Sequence, residues 1–150
     1  MDLFKIFSIS GSGMAAQRSR MTVVAGNLAN TETSRTPDGG PYKRRDVIFR
    51  SVPAAGEFSD QLADLADGYE VMQGVEVVGV KQSSRPPRLL FDPNHPDANP
   101  DGYVALPDIN PMEEMVDMMS AVRSYEANLS AYNTTKSLIR RILDMARNSQ

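Results

Sequence analysis

The stretch from Asp97 to Asp108 has the residue types and spacing of a calcium-binding loop. Asp97, Asn99 and Asp101 stand at its first, third and fifth positions, Gly102 at the sixth and Asp108 at the twelfth. Alternate oxygen donors suit a hard cation, and the glycine permits a sharp turn. However, prolines flank and interrupt the stretch, and the preceding RPPRLLFDPNHP cannot form the entering helix of an EF-hand. A β-turn region is therefore favoured, with calcium binding as the alternative.

Other residues that could do chemistry are few. His95 is the only histidine and the chain contains no cysteine. This composition excludes thiolate metal sites and cysteine catalysis, and it leaves little room for a His-rich metal centre or a Ser-His-Asp triad. The segment Gly11-Ser12-Gly13 lacks the preceding strand and the lysine of a phosphate-binding loop. The favoured interpretation is that these small residues lie in a packed helix and let another backbone approach closely. We expect no enzyme activity, no cofactor and no bound metal.

Charge and hydropathy argue against two classes of partner. Lys and Arg total 16 and Asp and Glu 19, so the net charge is −3, whereas polyanion binders normally carry a basic excess. The basic cluster in residues 43–50 has few interleaved aromatic residues, which favours a charged edge strand or a partner-facing patch over nucleic-acid binding. No window approaches eighteen apolar residues, so no membrane-spanning segment is predicted. The start, MDLFKIFSIS, lacks the apolar core of a cleaved signal peptide.

The placement of proline divides the chain into three parts. All ten prolines lie between Pro37 and Pro111. Because proline is excluded from helix interiors, long helices can form only at the two ends. We predict an N-terminal axial helix in residues 1–32, a central β-rich domain in residues 33–110, and a C-terminal axial helix in residues 111–148.

The N-terminal helix carries a narrow apolar stripe. Alternate steps of four and three residues from Leu3 visit mostly apolar positions, which is typical of a heptad seam. Three glycines weaken this helix by about 1 kcal/mol each relative to alanine, so it needs a partner along the stripe. Its predicted assembly-seam residues are Leu3, Phe7, Met14, Met21, Val24 and Leu28.

The C-terminal helix has a more regular stripe. Pro111 suits the first helical position after Asn110 as N-cap, and no glycine or further proline follows. The helix would be about 55 Å long, too long to bury its seam within one compact fold of this size. Its predicted seam residues are Met115, Met118, Val122, Tyr125, Leu129, Tyr132, Ile139 and Leu143. Four nearby methionines, at positions 112, 115, 118 and 119, would pack against neighbouring subunits.

These patterns predict an α+β fold, with the long N- and C-terminal helices paired as a coiled-coil-like rod and a small central β-rich domain. The alternative is an ordinary packing of two helices over a sheet. Candidate strands cover residues 42–50, 71–81, 88–91 and 103–106, separated by turn residues. Edges of such short strands tend to be covered by partners.

The two ends of the chain together resemble bacterial flagellar axial proteins. The segment SGSGMAAQRSRMTVVAGNLAN is similar to their N-terminal signature, which ends in the motif Asn27, Leu28, Ala29 and Asn30. The later segments TPDGGPYKRRDVIF and residues 93–139 resemble the proximal-rod members; residues 93–139 contain the element A-x-R-S-Y-x-A-N with Arg123, Tyr125 and Asn128. The resemblance covers residues 1–50 and 87–146. Gly26 departs from it, because relatives usually carry serine or another small polar residue there.

This resemblance implies a structural function. The chain would be a subunit of the rod of the flagellar basal body, the drive shaft that crosses the periplasm. It would leave the cell unfolded through the flagellar type III export apparatus, without a cleaved signal peptide. The implied partners are further copies of itself, other proximal and distal rod proteins, and the basal-ring or export-gate junction, with no nucleic acid and no small-molecule substrate. The alternatives are a calcium-binding periplasmic module and a cytoplasmic coiled-coil adaptor.

Overall fold

The computed structural model describes residues 3–53 and 73–148, with side chains for residues 5–53 and 73–147. Within these ranges the fold is α+β, with a long helix near each end and short strands between them. The elements in chain order are α1 (Leu3–Ala29), β1 (Arg45–Pro53), β2 (Gln73–Gln82), β3 (Arg88–Phe91), β4 (Tyr103–Leu106) and α2 (Pro111–Asn148). Strand β1 pairs with β2, and β3 with β4, in two two-stranded sheets. No helix in the described ranges is long and apolar enough to cross a membrane.

Helix α2 is capped as its sequence predicts, and its end charges suit the helix dipole. The Asn110 Oδ1 atom accepts a hydrogen bond from the Met112 N–H at 3.1 Å, and the Asn110 Nδ2 atom donates to Glu113 at 3.2 Å. Acidic residues occupy the first turn and Arg147 the last, which suits the helix dipole. Helix α1 has no acidic residue in its first turn and no basic residue in its last. It is therefore the weaker helix by local interactions.

The strands follow the predicted positions most closely where turns limit them. Strands β3 and β4 have the predicted bounds and pair antiparallel, from Arg88 opposite Leu106 to Phe91 opposite Tyr103. Strand β1 begins three residues later than predicted, because the Tyr42 N–H already donates to the Thr33 carbonyl at 3.0 Å. The predicted second strand overlaps β2, but its first two residues lie outside the described residues.

The chain forms two compact units. One comprises the described parts of Met1–Arg18, Phe49–Val78 and Val122–Gln150, and the other comprises Ser19–Ile48 and Gly79–Ala121. The second unit contains most of the buried apolar side chains among the described residues, namely Val24, Val104, Leu106, Ile109 and Ala121. Among the described residues of the first unit, the buried positions are Ser10, Ala16, Gly74 and Thr135. The first unit thus has a smaller and more polar interior.

Gly102 is required by the turn that leads into β4. Its φ angle is 80°, and a Cβ atom there would lie 3.0 Å from the Phe91 ring and 3.3 Å from Pro93. We expect Gly102→Ala to destabilise the second unit by about 1–3 kcal/mol, through left-handed backbone strain and this contact.

Gly79→Ala is the matched control for this substitution, because a Cβ atom at Gly79 meets nothing within 4 Å and the φ angle there is not positive. Thermal unfolding followed by circular dichroism compares the two variants. A Gly102→Ala protein as stable as Gly79→Ala would contradict the assignment.

Candidate assembly interface

Asn27 joins three segments of the second unit through its side-chain amide. The Oδ1 atom accepts hydrogen bonds from the Arg45 N–H at 2.9 Å and the Tyr42 hydroxyl at 3.2 Å. The Nδ2 atom donates to the Arg45 carbonyl at 2.8 Å and to Glu114 Oε2 at 2.9 Å. These four bonds use the full capacity of the amide, on a side chain that is 0% exposed. Asn27 therefore fixes the start of β1 and the first turn of α2 to the end of α1.

Glu114 is a buried carboxylate that depends on Arg44. Its side chain is 1% exposed, and its Oε1 atom accepts a hydrogen bond from Arg44 Nε at 2.6 Å. Arg44 also forms ion pairs with Asp46 and, at 3.4 Å, with Asp117. Burial by itself lowers the pKa of Arg44, but the hydrogen bond and charge of Glu114, with Asp46, outweigh it and raise that pKa. The guanidinium thus stays charged and compensates Glu114, as a buried charge requires.

Tyr42 completes this group, which we call the Asn27 cluster: Asn27, Tyr42, Arg44, Arg45 and Glu114. Burial raises the pKa of the Tyr42 hydroxyl, the Arg45 charge opposes this effect, and the Glu114 charge adds to it. The hydroxyl therefore remains a neutral donor to Asn27 at physiological pH. The Arg45 guanidinium lies 5.5 Å from the centroid of the Tyr42 ring, within range of a cation–π interaction.

Sequence reasoning identified Asn27 only as part of a family motif and did not identify the cluster. The sequence favours an edge strand or a partner-facing patch for the basic cluster in residues 43–50, whereas Arg44 forms ion pairs within the chain. Arg50 pairs with Glu76 at 2.7 Å on the surface. Glu113 and Glu114 both lie in the first turn of α2, where a carboxylate suits the helix dipole, but only Glu114 is buried. The motif asparagine was the only sequence signal for this site.

In the first unit, α1 and α2 approach each other closely. The rings of Phe7 and Tyr132 make an edge-to-face contact with centroids 4.6 Å apart. A Cβ atom at Gly13 would lie 3.0 Å from the amide of Asn128, so only glycine leaves that side chain undisturbed. From the first contact to the second, the residue number rises from Phe7 to Gly13 on α1 and falls from Tyr132 to Asn128 on α2. These helix segments are therefore antiparallel.

The GSG segment also contacts β2. The Ser12 Oγ atom accepts a hydrogen bond from the Val75 N–H at 3.2 Å and donates to the Ile9 carbonyl at 2.8 Å. A Cβ atom at Gly74 would lie 2.9 Å from the Ser12 hydroxyl. Another segment therefore comes close at Ser12 and Gly13, at Gly13 through a side chain and not the predicted backbone, whereas a Cβ atom at Gly11 would meet nothing within 4 Å.

On α2, the most buried positions lie beside the predicted seam. Four positions spaced by seven are buried or half-buried: Glu114, Ala121, Asn128 and Thr135. Several predicted seam residues are instead 37% to 63% exposed, namely Met115, Val122, Leu129 and Leu143. The other predicted residues on this helix, Met118, Tyr125, Tyr132 and Ile139, are half-buried. These inward positions are small or polar, and large apolar side chains such as Leu129 face outward.

On α1, the predicted seam residues are more enclosed. Val24 is buried, whereas Phe7, Met14, Met21 and Leu28 are half-buried. The side chain of Leu3 lies outside the described residues. A single chain does not test contacts between subunits, so the assembly seam remains a prediction.

The other motif residues have local roles. The Asn30 Nδ2 atom donates to the Gly26 carbonyl at 2.8 Å, and the Thr33 hydroxyl donates to Asn30 Oδ1 at 3.1 Å, so Asn30 helps to end α1. Ala29 and Arg123 are exposed. Thus only Asn27 in the N-terminal motif has a fully buried side chain.

The donors of the calcium-like loop take part in turns and pairs. Asp97 accepts a hydrogen bond from the Ser34 hydroxyl at 2.8 Å, and its N–H donates to His95 Nδ1 at 3.0 Å. Asn99 Oδ1 accepts from the Asp101 and Tyr103 N–H groups at 3.1 and 2.8 Å. Within residues 3–53 and 73–148, no group of three or more His, Cys, Asp or Glu side chains could hold a metal ion. The β-turn interpretation agrees with this geometry.

Comparisons with known proteins define the class of this chain. Residues 101–145 match the family described as flagellar basal body rod FlgEFG protein C-terminal. These residues include β4 and most of α2, so the match falls on the helix with the exposed apolar side chains. The class is that of the flagellar basal-body rod proteins.

Full-length relatives identify the family within this class. The flagellar basal-body rod protein FlgC of Borreliella burgdorferi is 42% identical over 151 residues, covering 95% of this chain and 97% of the relative. Those of Salmonella typhimurium and Bacillus subtilis are 40% and 38% identical, covering 97% and 98% of this chain and 98% and 100% of the relatives. The chain belongs to the FlgC family of flagellar basal-body rod proteins and is a structural subunit of the rod. These relatives give no support to a calcium-binding module or a cytoplasmic adaptor.

Asn27→Asp tests the Asn27 cluster. The substitution removes two donors and places a second carboxylate beside Glu114, so we expect a loss of about 3–5 kcal/mol in the free energy of unfolding. Asn30→Asp is the matched control; it lies at the end of the same helix and loses one donor to the Gly26 carbonyl, so it should cost about 1 kcal/mol. Urea unfolding of the two purified variants gives the comparison. Equal losses would show that Asn27 has no special role.

Gly11→Ala and Gly13→Ala test the close approach of the helices. A Cβ atom at Gly11 meets nothing within 4 Å, so Gly11→Ala should add about 1 kcal/mol of helix stability. At Gly13 the same gain is opposed by displacement of Asn128, whose Nδ2 atom donates to the Ser124 carbonyl at 2.9 Å. We expect the Gly13→Ala protein to be less stable than the Gly11→Ala protein in thermal unfolding. This difference in stability should disappear when both substitutions are made in a protein that also carries Asn128→Ala. A Gly13→Ala gain equal to that of Gly11→Ala would exclude a tight contact.

Proposed function

We propose that the chain enters the rod through its two terminal helices, paired as a coiled-coil-like element that packs beside neighbouring subunits. Residues 1–32 and 111–148 would act as the axial segments, and residues 33–110 would form the central β-rich part that fixes their orientation. The chain would act by assembly alone, without catalysis.

The single observation that carries this proposal is the outward-facing apolar surface of α2. Large apolar side chains are exposed along nearly the whole helix: Met112, Met115, Val116, Met119, Val122, Leu129, Leu138, Ile142, Leu143 and Met145. Exposed apolar surface of this extent is typical of protein–protein contact sites. Full burial of each such side chain would contribute about 1.5–3 kcal/mol, and a neighbouring subunit would supply that burial.

The partners would be other copies, other proximal and distal rod proteins, and the basal-ring or export-gate junction. The chain would reach the periplasm through the flagellar type III export apparatus and fold as it assembles. Two features support this route. Helix α1 contains three glycines and lacks charged residues that favour its dipole, so it should unfold easily. The chain has no cysteine, so no disulfide can form before or after export.

Substitution of the exposed apolar residues tests the proposal. In a strain that lacks its own copy of the gene, the unchanged gene should restore swimming. Val122→Asp and Leu129→Asp should abolish swimming, because each places an unpaired carboxylate in a buried contact. Both residues are more than one-third exposed in the isolated chain, so the variants should still fold.

Ser130→Asp is the matched control, since it adds the same charge at an exposed polar position next to Leu129. It should swim normally. Basal bodies isolated from each strain should contain the Ser130→Asp protein but not the other two. Normal swimming by Val122→Asp and Leu129→Asp would exclude α2 as an assembly surface.

A further inference from the structure

Helix α2 has two separate exposed apolar patches with the same spacing. The N-terminal patch consists of Met112, Val116 and Met119, which are 53% to 65% exposed. The C-terminal patch consists of Leu138, Ile142 and Met145, which are 45% to 64% exposed. In each patch the steps are four and then three residues, so the three side chains share one face of the helix.

The charges around the two patches have opposite sign. Glu114 is buried, so the exposed charges of residues 111–129 are three carboxylates and one arginine, with one of the carboxylates, Asp117, paired to Arg44. The exposed charges of residues 130–148 are four cations and one aspartate. Helix dipoles favour such a distribution only within the first and last turns. Glu126, Lys136 and Arg140 lie farther in, so the dipole does not account for them.

From this complementarity we infer that the occupant of the N-terminal patch is the C-terminal patch of a second copy of this chain. The apolar faces match in spacing, and the acidic flanks of one copy meet the basic flanks of the next. This inference rests on the proposed function and specifies which surfaces of two neighbouring subunits are in contact. A contact between two different patches is heterologous and propagates along a series of subunits instead of closing as a two-fold dimer.

Contact between two identical patches is disfavoured by the same charges. Two N-terminal patches would bring carboxylates together, and two C-terminal patches would bring cations together. Like charges across an interface cost several kcal/mol. The contact is therefore head-to-tail, with a direction along α2.

Introduced cysteines test this contact directly, because the chain has no cysteine of its own. Two copies with different tags, one Met119→Cys and the other Ile142→Cys, are expressed together in a strain that lacks the gene. Isolated basal bodies are oxidised and separated without reductant. We expect a disulfide dimer carrying both tags. Because a disulfide requires Cα atoms within about 7 Å, every combination of the three positions in one patch with the three in the other is tested.

The control carries Met119→Cys in both copies and should give no dimer. A dimer in this control, or a disulfide to a protein of another mass, would overturn the inference, since the occupant would be a like patch or a different protein. Basal bodies that contain the chain but give no disulfide in any combination would overturn the inference and leave the proposed function intact. Basal bodies without the chain would overturn both.

Charge reversal gives a second readout that does not depend on disulfide geometry. Arg140→Glu with Arg141→Glu should reduce the swimming halo at least twofold, and the additional substitution Glu126→Arg should restore it. Glu126→Arg alone should also reduce it. Unchanged halos in the reversed variants, or no restoration by the combination, would contradict a pairing of the two flanks.

Discussion

Burial of Asn27 and Glu114 removes an amide and a carboxylate from water, and the second unit is organised around satisfying them. The four hydrogen bonds of Asn27 connect α1, the start of β1 and the first turn of α2. Arg44 supplies the positive charge that Glu114 requires. Because unpaired buried polar groups cost more than paired ones contribute, the cluster acts mainly by excluding other arrangements of these three segments. The cluster therefore contributes more to the specific arrangement of the helix ends than to the stability of the unit.

The close approach of α1 and α2 in the first unit has a consequence for the outer surface. Gly13 and Ser12 lie where another segment comes near, and Asn128 and Thr135 face inward on α2. Small and polar side chains let helices approach, but they bury little apolar area. The large residues such as Leu129 and Ile142 are consequently exposed. The chain alone therefore gains little hydrophobic stabilisation from its longest helix.

Much of the fold could be predicted from local patterns. Pro111, with Asn110 before it, defined the start of α2, and turn residues defined β3 and β4, because backbone chemistry acts over a few residues. The start of β1 was wrong by three residues, since the hydrogen bond from Tyr42 to Thr33 is a tertiary contact. The inward positions Glu114, Ala121 and Thr135 on α2 were also not predicted, whereas the predicted residue Tyr132 contacts Phe7. Periodicity locates apolar residues, but it does not show whether they face the chain itself or solvent.

Glu114 illustrates why the site was harder to predict than the fold. A glutamate in the first turn of a helix satisfies the dipole rule whether it is exposed or buried, and only its three-dimensional partners distinguish the two cases. A buried ion pair contributes little net stability compared with apolar packing. In the proposed rod, the polar contacts within one chain would thus define its geometry, while the apolar face of α2 would supply most of the binding energy. Such a chain would gain its full stability only among its neighbours, which suits the proposed export before assembly.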